Sequence, residues 1–152
     1  MEFKMTNAID HLSTLYFSPV IHKKLFLEFY INTKLRANNI LLAYLILPLY
    51  FNSKTRLFFE NANKKSSLIT FVSKRERISN IEKKVHDFRE ITNRCLQMLV
   101  DENIIEIQEN ASIKVNFNQE PQYKNRFSEN ISRILSDNDV AVTYRMLGIK
   151  KL

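Results

Sequence analysis

Residues 78–117 read ISNIEKKVHDFREITNRCLQMLVDENIIEIQENASIKVNF, and the periodicity of this stretch changes once, near residue 103. Before that point Ile78, Ile81, Val85, Phe88, Ile91, Cys95, Leu96, Leu99 and Val100 recur at intervals of three and four. That spacing lines one face of an α-helix and predicts helix over 78–100, with an interruption near Thr92. After Asp101-Glu102-Asn103, Ile105, Ile107, Ile113 and Val115 alternate with polar neighbours, the two-residue period of a half-buried strand. Two such runs flank Glu109-Asn110, where Asn tolerates a left-handed backbone, and together they predict a β-hairpin.

A helix that runs straight into a small hairpin is how a winged helix-turn-helix domain ends. The expected fold is therefore mainly α with a small β-hairpin, a winged-helix-like domain plus a C-terminal helical tail. Towards the N-terminus, Val20, Ile21, Leu25, Phe26, Phe29 and Tyr30 give residues 17–32 a helical stripe, with Pro19 at its start and Ser18 as candidate N-cap. Asn38-Asn39 breaks the pattern. Residues 40–51 are apolar on every face, which predicts a core helix that Pro48 kinks or loosens in its last turn. Lys54-Thr55-Arg56 is read as the end of that helix, where cations suit the negative pole or hold an acidic partner, two readings that the sequence leaves open. Lys65-Ser66-Ser67 then caps a short helix whose apolar face is Leu68, Phe71 and Val72. Towards the C-terminus a polar linker over 118–125, containing Pro121, precedes a helix over 127–135. Asp137-Asn138-Asp139 caps a closing segment over 140–147, and Gly148 follows in the position of a left-handed C-cap. This divides the chain into a helical, winged-helix-like domain over 1–117 and a linker with C-terminal helices over 118–152, packing on the domain or on a partner.

The whole chain of 152 residues holds 45% hydrophobic and 26% charged residues, enough for one core. A single Gly excludes glycine-rich phosphate loops and dinucleotide-binding turns. One Cys and three His build neither a disulfide framework nor a structural zinc site, so no metal or cofactor is expected. Residues 1–14 lack the basic start and apolar core of an export signal, and the longest apolar run falls far short of the roughly 20 residues that span a bilayer. The expected location is cytoplasmic, with no membrane contact.

His11, His22 and His86 are scattered and read as solvated surface residues, and Cys95 sits on an apolar face and reads as core. No nucleophile, base and oxyanion cradle stand at a recognisable spacing, so no enzyme activity is expected. Glu82, Asp87 and Glu90 are interleaved with Lys83, Lys84, Arg89 and Arg94 as solvated ion pairs. The net charge of +7 is concentrated over 64–94, where nine basic residues face four acidic ones. Lys74, Arg75, Arg77, Lys83 and Lys84 are the candidates for non-specific contact with DNA phosphates. Only Asn93, Arg94 and Gln97 on the expected recognition helix suit base edges, and the hairpin tip is acidic at Glu109, so sequence-specific reading is not favoured.

The order of segments resembles the middle component of three-component ABC-type ATPase systems, the small subunit also found in Lamassu-type anti-phage defence. The matching features are Phe17-Ser18-Pro19, then Leu45-Ile46-Leu47-Pro48-Leu49 followed by Lys54-Thr55-Arg56, and Ser66-Ser67-Leu68. The helix with Thr92 and Leu96 follows, and Tyr144-Arg145-Met146-Leu147-Gly148-Ile149 is similar to the family's closing leucine-glycine-valine element. The chain departs from the pattern where it has no small residue after Pro19, and where Leu57-Phe58-Phe59 replaces a Leu-Pro pair. The resemblance implies a non-catalytic subunit that binds an SMC-like, coiled-coil ABC ATPase and couples it to an effector, often a nuclease. Self-association is a further implication by analogy of fold. The alternative reading is a free-standing winged-helix DNA-binding regulator.

With 11 Phe and 6 Tyr the chain has many aromatic anchors, most of which helical spacing assigns to the core. The candidates for a partner interface are Arg56, Phe58 and Phe59 beyond the apolar helix, and Tyr144, Met146 and Leu147 in the last segment. That segment either docks on a partner or folds back on its own domain.

Overall fold

The computed structural model describes residues 18–116 and 125–151. The segment read for an export signal, nearly all of the expected linker and the expected domain boundary lie outside the described residues. The remainder is mainly helical, with eight α-helices and one antiparallel hairpin. In chain order these are α1 (Pro19–Asn32), a 3-10 turn (Asn39–Leu42), α2 (Ala43–Tyr50), α3 (Ser53–Glu60) and α4 (Leu68–Val72). A second 3-10 turn (Arg75–Arg77) leads to α5 (Ile81–Asp87), α6 (Arg89–Asp101), β1 (Ile105–Ile107), β2 (Ile113–Val115), α7 (Arg126–Ser136) and α8 (Val140–Met146).

Helix α1 is the central strut, packed against α6 and against α7. It starts with Pro19 at its first position, where the missing amide hydrogen costs nothing, although the Ser18 hydroxyl makes no capping bond. Helix α2 buries Ala43, Leu45, Ile46, Leu47, Pro48 and Leu49, as its all-apolar sequence requires. Pro48 falls in the last turn, and the helix closes at Tyr50 with Phe51 N–H donating to the Leu47 carbonyl at 3.0 Å. The next helix starts almost at once, because the Asn52 side chain accepts from the amides of Lys54 and Thr55. Lys54-Thr55-Arg56 therefore opens α3 instead of ending α2, and its cations stand at the positive pole. Ser67 caps α4 in a reciprocal box with Thr70.

The long helix expected over 78–100 is two helices. Their joint is Phe88, four residues before the expected break at Thr92, and Phe88 leaves helical geometry while its ring stacks on Phe51 at 5.4 Å. Thr92 is buried inside α6, with its amide bonded to the Phe88 carbonyl. The hairpin pairs Ile105 with Val115 and Ile107 with Ile113. Its left-handed residue is Ala111 at φ 60°, not Asn110, whose side chain instead accepts from the Ser112 amide. The turn is gripped by the start of the first 3-10 turn: Asn39 Oδ1 accepts from the Ile113 amide at 2.7 Å, and the amides of Asn38 and Ile40 donate to Asn110 and Ala111.

Helix α7 lies between α1 and α3 and buries Phe127, Ile131, Ile134 and Leu135 completely. Arg36 donates to one of its C-terminal carbonyls, Leu135 O at 3.0 Å, and to Asn138 O just beyond the helix at 2.7 Å. Arg133 ties its outer face to the loop before α4, through Asn63 O and Ser66 O. Helix α8 packs on α4 and on the first 3-10 turn. The expected cap at Asp139 is not made by its side chain; the Asp139 carbonyl accepts the first helical bond from the Thr143 amide, and Gly148 at φ 79° ends the helix in the left-handed conformation that a C-cap glycine permits. The core is one contiguous cluster with contributions from α1 through Ile149.

Truncating Phe127 to Ala should lower the unfolding free energy by ~3–5 kcal/mol, because the cavity lies in the middle of this core, whereas Ile69→Ala, 71% exposed, should shift it by less than ~0.5 kcal/mol. Ala111→Gly should raise it by roughly 0.5–1 kcal/mol by relieving a left-handed alanine. Equilibrium urea denaturation of the three variants checks both statements.

Candidate functional site

Two surface regions carry the residues that the sequence singled out. The first is built by α3 and the second 3-10 turn. The Asn52 cap sets the phase of α3 so that Thr55 and Phe59, four residues apart, face inward, leaving Arg56 and Leu57 outside. The Thr55 hydroxyl donates to the Arg77 carbonyl at 2.9 Å and fastens the turn to the helix. Arg77 then folds over the Phe58 ring at 4.3 Å and donates to the Thr70 and Phe71 carbonyls at the end of α4. Lys54 pairs with Glu76 at 2.8 Å and holds that carboxyl below its ordinary pKa. Arg56 pairs with Glu60 at 3.4 Å and lies over the Tyr50 ring at 5.3 Å.

The structure separates the expected interface residues. Phe59 is fully buried against Phe71 and Phe127, and Phe58 is half-covered beneath Arg77, so neither presents a free ring. The exposed apolar side chain of α3 is Leu57, at 56%. In α8, Val140, Thr143, Tyr144 and Leu147 form the inward face, and the Tyr144 hydroxyl donates to the Leu41 carbonyl. Tyr144 and Leu147 are therefore core residues, and the last segment folds back on its own domain. Met146 remains half-buried at the edge of that contact. The signal was present in the sequence: spacings of four in 55–59 and of three and four in 140–147 each mark a buried stripe.

The expected phosphate contacts divide similarly. Lys74, Arg75 and Lys83 are exposed and Lys84 is half-buried, while Arg77 holds backbone carbonyls and an aromatic ring. The helix expected to read bases is occupied by its own neighbours. Asn93 accepts from the Tyr44 hydroxyl, Arg94 pairs with Glu90 at 2.6 Å, and Gln97 donates to Asp101 at 2.8 Å. Glu82 is not in a solvated ion pair; its carboxylate accepts from the Lys150 and Lys151 amides at 3.2 and 2.9 Å.

The second region is a groove of about 590 Å³ between the first 3-10 turn, α8 and the tail that follows Gly148. Leu41, Val140, Tyr144 and Ile149 form its floor, with Arg145, Lys150 and Lys151 on its rim.

His22, read as a surface residue, is buried with its ring edge-on to Phe51 at 5.2 Å, and His86 is exposed. Cys95 is fully buried, its sulfur 3.8 Å from the Pro19 carbonyl. Among the described residues no three His, Cys, Asp or Glu side chains group as metal ligands, and no helix is long and apolar enough to cross a membrane.

Burial pushes the Cys95 thiol up to about 12 and raises the Tyr30 and Tyr144 phenols above their ordinary values. The folded state thus holds these protons more tightly than the unfolded chain. For Cys95 the resulting stability is full below the ordinary thiol value of about 9 and is lost as pH rises towards about 12. Iodoacetamide at pH 8 should leave Cys95 unmodified until urea unfolds the chain, and alkaline denaturation of Cys95→Ala should begin at higher pH; fast native-state alkylation would contradict the buried placement.

No curated protein and no solved structure yields a match to the chain. A family model does, over residues 6–151, and its span takes in the capped α3, the Arg77 clasp and the groove beside α8. The protein accordingly belongs to the family described as ABC-three component (ABC-3C) system Middle Component 3, and is one part of a three-component system that has partner components.

Proposed function

We propose that the protein is a non-catalytic subunit of an SMC-like, coiled-coil ABC ATPase complex in Lamassu-type anti-phage defence, bridging the ATPase to an effector such as a nuclease. The observation that carries this reading is the family match over nearly the whole chain. The chemistry of the fold supports it. The described histidines and the cysteine are buried or isolated, and the exposed face of α6 is taken up by internal bonds. What remains at the surface is suited to binding: single exposed aliphatic side chains such as Leu57 and Ile69, a mixed-charge face around Arg56, and a groove with a cationic rim. Lys74, Arg75 and Lys83 can add a non-specific contact with DNA phosphates once the complex is assembled.

Co-expression of the tagged chain with its neighbouring genes, followed by purification in high salt and mass analysis, tests the proposal. A large coiled-coil ATPase should be retained, and Lys74→Glu, Arg75→Glu and Lys83→Glu in combination should leave it retained. Recovery of DNA alone, with binding that falls steeply with salt and vanishes in the charge-reversed chain, would replace this reading with that of a free-standing winged-helix regulator.

A further inference from the structure

We propose that the groove beside α8 binds an acidic segment, carrying one aliphatic or aromatic anchor, from a partner component of the system. This rests on the subunit role proposed above and identifies where one contact is made. The groove, of about 590 Å³, is large enough to accept one or two side chains, and Leu41, Val140 and Ile149 make its floor apolar.

Charge complementarity specifies the rest. Arg36, Arg77 and Arg133 hold backbone carbonyls, and Lys23, Lys54, Arg56 and Arg94 each hold a carboxylate. Arg145, Lys150 and Lys151 are exposed, and among the described residues none has a hydrogen-bond or ion-pair partner for its side chain; unlike other exposed cations such as Lys34, Lys74 and Lys83, they border the apolar floor of the groove. Asp139 is the one carboxylate on the lining, and Glu82 is engaged with the amides of Lys150 and Lys151. Those two bonds, with the Ile149 amide on the Tyr144 carbonyl, hold the backbone of the rim in place before any ligand arrives. Phosphates would leave unused the apolar floor, on which Leu41 is the side chain most open to a ligand. Carboxylates flanking an apolar anchor match both the rim and the floor.

A photo-crosslinking amino acid in place of Ala141, which is exposed on the groove wall, tests this in the co-expressed complex. The expected product joins position 141 to a net-negative segment of a partner component that contains an aliphatic or aromatic residue. In parallel, the combined variant Arg145→Glu, Lys150→Glu and Lys151→Glu should weaken the complex by about tenfold or more, with the thermal midpoint unchanged. Crosslinks to nucleic acid, to a second copy of the chain or to a basic or neutral segment overturn the proposal, as does unaltered affinity of the charge-reversed chain. If partners co-purify and position 141 captures none of them, the groove proposal alone falls. If no partner co-purifies with the unaltered chain, the subunit role falls with it.

Discussion

A continuous column of aromatic rings holds the fold together. Through it the N-terminal end of α1 is connected to the clasp at Arg77. His22 meets Phe51 edge-on, Phe51 stacks on Phe88 and touches Tyr50, and Tyr50 meets Phe127 at 5.2 Å. Phe127 then meets Phe59, which packs on Phe71 at 4.9 Å, and Arg77 closes the column over Phe58 and Phe71. Seven elements contribute a ring or a cation: α1, α2 and its C-cap residue, α3, α4, the second 3-10 turn, the joint at Phe88 and α7. Edge-on and offset ring pairs favour a narrow set of geometries, so each ring restricts the placement of the next.

The second constraint comes from the scarcity of glycine. Left-handed turns fall to Asn38, Asn80, Asn103 and Ala111, and helix ends need partners for their exposed carbonyls. Arginine meets that need repeatedly: Arg36 at the end of α7, Arg77 at the end of α4, and Arg133 at the loop between α3 and α4. Part of the basic excess is thereby structural. A guanidinium held on two carbonyls contributes to folding and is fixed in position by the fold rather than free to follow a phosphate. Positive charge remains available to a partner on the turn before α5 and at the rim beside α8, among other exposed positions such as Lys34, Lys83 and Lys114.

Several features could be read directly from the residues, and others depended on contacts remote in sequence. The helix-to-hairpin transition follows from a change of period, the Ser67 cap from local chemistry, and the Gly148 stop from a single glycine. The core positions of Cys95 and α2 follow from apolar surroundings. The break at Phe88 does not, because periodicity continues through it; only the stacking partner Phe51, far away in sequence, explains why the chain departs from the helix there. The phase of α3 depends on Asn52, whose capping role is hidden behind the proline and aromatic residues before it. The groove was invisible for the same reason. Its floor combines Leu41 with Val140 and Ile149, and its rim is oriented by Glu82 of α5, three segments that no local pattern relates.

The position of α7 also bears on how the protein is made. Helix α1 has its two faces covered by α6 and α7, and the rings of Tyr50 and Phe59 meet Phe127 of α7. During synthesis, more than a hundred residues leave the ribosome before the segment that covers them is available. Until α7 emerges, the nascent chain therefore presents an apolar surface on α1 and α3, and these long-range contacts form only after it does. Such an order of emergence leaves that surface uncovered until the last two helices are in place.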